Sequence, residues 1–93
     1  MSGSKSKVWT VEVVIEEHDH TVTAEARLTG RAPGPMVGEG TARCHPADEN
    51  VPAIGDELAA SRALNVLAGQ LLDISIKDIE SHTHERVHGI EQG

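Results

Sequence analysis

The chain has 93 residues, with one tryptophan, no phenylalanine or tyrosine, and fifteen acidic against eight basic side chains, a formal charge of −7. That acidity opposes any association that depends on Lys and Arg neutralising phosphates, so duplex RNA, DNA and anionic membranes are poor partners. The single cysteine, Cys44, excludes an intrachain disulfide framework, and no apolar run approaches the ~20 residues that span a bilayer.

A lone cysteine fits a reducing compartment, and the polar start "MSGSKSK" lacks the apolar segment of a signal peptide. The expectation is a cytoplasmic protein of one domain. A chain this short buries only roughly 60–65% of the surface that its unfolded form exposes, and without large aromatics its core must be built from Val, Ile, Leu and Ala. A second subunit is a natural supplement.

Residues 1–7 read as a loose arm, residues 8–88 as the domain, and residues 89–93 as a flexible end. In "VWTVEVVIEE" Trp9, Val11, Val13 and Ile15 share one parity, and Thr10, Glu12, Val14 and Glu16 the other. In "TVTAEARLT" Val22, Ala24, Ala26 and Leu28 alternate with polar residues. Period two marks half-buried strands. The apolar set is odd on the first strand and even on the second. An antiparallel pairing must respect that parity, and a short turn around Asp19–His20 sets Ile15 opposite Ala24, Val13 opposite Ala26 and Val11 opposite Leu28.

A Gly/Pro-rich turn, "GRAPGP", precedes a third strand expected from about Met36 to His45. Its inward parity is Met36, Gly38, Gly40, Ala42 and Cys44. The expected register sets Glu39 opposite Arg27, completing a Glu12–Arg27–Glu39 ladder on the exposed face. Glycines at alternate positions weaken a strand unless something approaches it closely. The expectation is a helix lying over this strand, with Leu64, Leu67 or Leu71 filling the space above Gly38 and Gly40.

That helix follows the linker "HPADENVP". From Ile54, the residues Leu58, Ala60, Leu64, Leu67, Ala68, Leu71 and Leu72 form one broad apolar arc over about five turns. Asn50 is the expected N-cap, Pro52 lies in the first turn, and Asp56 and Glu57 suit the positive helix end. "SIKDIESHT" reads as a second, short helix capped by Ser75. The fold class is therefore α+β: a three-stranded antiparallel sheet covered on one face by a long C-terminal helix, then a short one.

The stretch "GEGTARCHPADENVPAIGDELAASRALNVLAGQLL", with "WTVEVVIEEHDHTVTAEARL" before it, resembles a family of short actinobacterial proteins of unknown function. Its fold is classed as double-stranded-RNA-binding-domain-like (dsRBD-like). The resemblance implies a three-stranded sheet with a C-terminal helix and a homodimer. It also implies a link to hypoxia and dormancy, and a shape likened to ribosome-hibernation factors. This chain departs from an RNA-binding domain of that type. The lysine cluster expected at the last helix start is replaced by "IGDELAA", and the N-terminal helix is missing. The fold label therefore does not carry RNA binding with it.

Six histidines invite a metal reading, and His84 and His88 are spaced to share one helical face. No third ligand of defined geometry accompanies them, and solvated surface histidines are the expected reading. Cys44 faces inward and His45 outward, so they form no thiolate–imidazole pair, and no phosphate loop or catalytic constellation occurs. Asp48, Asp56 and Glu57, with Arg62 on the helix side away from the core, are the candidate contacts to a partner; helix capping and turn chemistry are the plainer role for the acids. Two open sheet edges and the outer-face valines Val8, Val14 and Val37 argue for a homodimer. The expected function is a non-enzymatic, homodimeric, stress- or dormancy-associated binding module without a cofactor. The ribosome is the named partner, through the resemblance alone. The alternative is a small metal- or ligand-binding protein using the histidine segments.

Overall fold

The computed structural model describes residues 5–43 and 52–92, with side chains to residue 83. Three strands, β1 (Thr10–His18), β2 (Thr21–Thr29) and β3 (Met36–Arg43), form one antiparallel sheet in the order β1-β2-β3. One helix, α1 (Pro52–Gln92), follows and packs across the sheet. No described helix is long and apolar enough to cross a membrane.

The β1–β2 register is the expected one: Ile15 faces Ala24, Val13 faces Ala26, and Val11 faces Leu28. The turn between them has two residues, and Asp19 takes a left-handed backbone with φ of 51°. Aspartate tolerates that conformation because its short polar side chain can bond locally.

The β2–β3 register differs from expectation. Arg27 faces Val37, not Glu39, and Glu39 faces Glu25. A slip of two residues keeps every side chain on its own face, so parity cannot distinguish the two pairings. The turn decides. Gly30 has φ of 103°, outside the extended region, so the ladder stops before it instead of pairing Gly30 with Met36. A Cβ there would also stand 3.0 Å from the Val8 carbonyl oxygen.

The long helix lies over β3, as the vacated glycines require, but leucine side chains do not fill the space. The helix backbone does. A Cβ built on Gly38 would stand 2.6 Å from both the Ala63 oxygen and the Leu67 nitrogen. One on Gly40 would stand 2.5 Å from the Ala59 oxygen. The buried helical residues Gly55, Ala59, Ala63 and Leu67 recur every fourth position, and the last three share the core with Ala24, Ala26, Leu28 and Ala42. Small residues on both sides bring backbone close to backbone. Leu64 stays 42% exposed and Leu71 is half-buried.

The expected break before a second helix is absent: α1 runs through Ser75 without interruption. The Ser75 hydroxyl donates to the Leu72 carbonyl oxygen at 2.8 Å. A serine that bonds back to the preceding turn sits inside a helix instead of capping one. The helix is about 60 Å long at 1.5 Å per residue, whereas nine-residue strands span roughly 30 Å. It therefore overhangs the sheet, and the molecule measures 68 × 34 × 19 Å. Every side chain from Ser75 to Thr83 is exposed.

Candidate functional site

Helix placement determines which surfaces remain unpartnered. α1 covers β2 and β3 more than β1. Along β2 the inward residues Val22, Ala24, Ala26 and Leu28 are buried. On β1 and just before it the equivalent parity is open: Trp9 is 49% exposed, Val11 44% and Ile15 38%, with only Val13 half-buried against the core. An apolar shelf thus runs along the uncovered inner side of β1, beside the Leu64–Leu71 flank of the helix.

Beyond Ile15 the same parity carries a carboxylate, Glu17, which meets Asp56 at the start of α1. A hydrogen bond with Asp56, then the Asp56 charge, then burial raise the Glu17 pKa above its ordinary value. Asp56 Oδ1 is itself buried without a hydrogen-bond partner. The two acids bring like charges together where the end of β1 meets the helix. Protonation relieves their repulsion and supplies a donor between two acceptor-only groups.

The outer face of the sheet is acidic. An open trough of about 370 Å³ is lined by Val14, Glu16, Thr23, Glu25, Glu39 and Thr41, among others. Glu25 and Glu39 stand directly opposite each other, an unfavourable cross-strand pair. Arg27 turns along its own strand to Glu25 at 3.5 Å, and His18 lies 3.7 Å from Glu16. Both contacts are solvent-exposed and contribute little to stability.

The sequence-derived candidates do not converge. Asp56 is half-buried against Glu17, while Glu57 is exposed. Arg62 reaches sideways, and its Nη1 donates to the Thr41 carbonyl oxygen at 2.6 Å. This contact ties the helix to the backbone of edge strand β3. Asp48, Cys44, His45 and Asn50 lie outside the described residues. His84 and His88 occupy α1, but their side chains are also outside them. Among the described residues no three His, Cys, Asp or Glu side chains form a metal-binding group. Sequence reading missed Glu17. Its signal was available: it is the one acid on the apolar parity of β1.

A family model described as Rv2632c-like matches residues 7–88. The protein Rv2632c of Mycobacterium tuberculosis is 51% identical over 86 residues, covering 90% of this chain and 89% of that protein. The protein Mb1767 of Mycobacterium bovis is 49% identical over 77 residues, covering 83% and 81%. The crystal structure of Rv2632c superposes with a TM-score of 0.83 at 51% identity, over 89% of this chain and 98% of that one.

Proposed function

Because the chain belongs to the Rv2632c-like family, we propose that it is a non-enzymatic binding module that works as a homodimer, with a dsRBD-like fold, and that it contacts the ribosome in stress or dormancy. One observation carries the binding role. Among the described residues, twelve large apolar side chains are substantially exposed, more than the eight buried residues of the core, five of which are alanines. Soluble monomers rarely leave so much apolar surface open, and contiguous patches of it mark interaction sites.

The ribosomal contact rests on the sequence resemblance to a family likened to hibernation factors. Charge constrains its form. With a net charge of −7 and Glu16, Glu25 and Glu39 on the outer sheet face, the chain is suited to a basic protein surface and repelled by RNA phosphate. Co-sedimentation with ribosomes tests the reading: the protein should appear in the ribosomal fraction under starvation or low oxygen and persist through a moderate salt wash. Its absence from that fraction in both conditions refutes the ribosomal role.

A further inference from the structure

We propose that the homodimer forms by antiparallel pairing of two α1 helices along the helix face that points away from the sheet. The inference rests on the homodimer proposed above and names its surface.

The helix has two stripes. One, the buried Gly55–Ala59–Ala63–Leu67 ridge, meets the sheet. On the opposite side the residues Ile54, Leu58, Leu72, Ile76 and Ile79 are 55%, 45%, 59%, 44% and 62% exposed. Ser61, Asn65 and Ala68 continue the line between them, all exposed. Spacings of four and three residues are those of a seam between two helices, not of a solvated face. A soluble helix with an apolar back and no neighbour has an unfilled partner position.

The occupant is a second copy because the stripe complements itself. Large residues lie at both ends and small ones in the middle. An antiparallel pair with its two-fold axis between Val66 and Leu67 sets Ile54 against the partner's Ile79. Leu58 then comes level with the partner's Ser75, beside the partner's Ile76; Ser61 meets the partner's Leu72, and Asn65 the partner's Ala68. Such an isologous contact closes on itself and leaves no propagating surface. On one flank Leu64 comes beside the partner's Leu71; on the other, Arg62 comes near the partner's Asp73. Glu57 comes near the partner's Asp78, a like-charge pair that offsets the Arg62–Asp73 attraction. The apolar stripe offers roughly 600–700 Å² per chain, about 1,300 Å² for the pair, within the range of specific interfaces. The pairing also gives the overhang, exposed from Ser75 to Thr83, something to pack against, and most helical stability in water comes from such packing.

The test uses the full chain with Cys44→Ser as background. Light scattering should give a dimer at micromolar concentration. Leu58→Glu/Ile76→Glu, at exposed positions away from the core, should weaken it about 30-fold or more in Kd. Val14→Glu, on the outer sheet face, should leave it unchanged. Circular dichroism at 222 nm checks that each variant is folded. Asn65→Cys and Ala68→Cys proteins, each inert to oxidation alone, should form a disulfide-linked heterodimer when mixed. A monomer overturns both the homodimer and this interface. A dimer indifferent to Leu58→Glu/Ile76→Glu, disrupted by Val14→Glu, or giving no mixed disulfide overturns the interface alone. Ribosome co-sedimentation remains an independent readout.

Discussion

Adding one methyl group at Gly40 should separate helix from sheet. The new Cβ would lie 2.5 Å from the Ala59 carbonyl oxygen and 2.7 Å from the Arg62 Cβ. These are backbone or backbone-proximal atoms of a continuous helix, so no flexible side-chain end can swing aside. Restoring ordinary van der Waals separation requires α1 to lift by somewhat under about 1 Å. A gap of that size forfeits a quarter to a half of each dispersion contact along the ridge. Overpacking in rigid surroundings typically costs about 1–3 kcal/mol, and the upper half of that range applies because the obstruction is backbone. Gly40→Ala should therefore destabilise the protein by about 2–3 kcal/mol. With a urea m-value of about 1 kcal/mol/M for a small domain, the midpoint should fall by about 2 M or more. Urea titration followed by circular dichroism and Trp9 fluorescence measures it at fixed protein concentration. Gly34→Ala is the control, since a Cβ there meets nothing within 4 Å. If Gly40→Ala and Gly34→Ala unfold at the same urea concentration, the close approach of helix and strand is wrong.

Gly69→Ala should act in the opposite sense. Nothing beyond the helix's own neighbouring backbone lies within 4 Å of its added methyl and the site is helix interior, so urea titration should show a gain of about 0.5–1 kcal/mol. Arg62→Ala removes the bond to Thr41 and should cost about 1 kcal/mol, with faster amide hydrogen exchange along β3. Glu17 gives a pH signature. Its folded pKa is raised, so its contribution is complete below the unfolded value near 4.5 and is lost as pH rises through the higher folded value. Compared with wild type, Glu17→Gln should gain stability across that window and plateau above it, and a constant difference from pH 4 to 7 refutes the coupling of Glu17 to Asp56.

The two-residue period made β1 and β2 legible, and a short turn left few registers to choose between. β3 was legible as a strand and as the site of close approach, but not in register. A two-residue slip leaves all faces unchanged, and the deciding fact is the backbone angle at Gly30. The helix was legible as far as Leu72. Ser75 resembles a cap in sequence, but the helix runs through it and its hydroxyl bonds back to the Leu72 carbonyl. At the candidate site, Arg62 was expected on the helix side away from the core; it is exposed but lies on the flank beside β3. Its acceptor, a main-chain oxygen twenty-one residues away, leaves no trace in side-chain chemistry. Asp56 was singled out for charge, but its contact with Glu17 needs the hairpin end and the helix start to be superposed first.

The buried helical ridge changes from small to large at Leu67. Gly55, Ala59 and Ala63 are near-interchangeable steps, and a helix bearing only such steps could settle one turn forward or back with little penalty. Leu67 removes that freedom. Moved one turn toward Gly40, its isobutyl group would have to occupy space already taken by main chain. A single bulky side chain thus acts as a detent, fixing where along its length the helix engages the sheet and how much of it projects beyond.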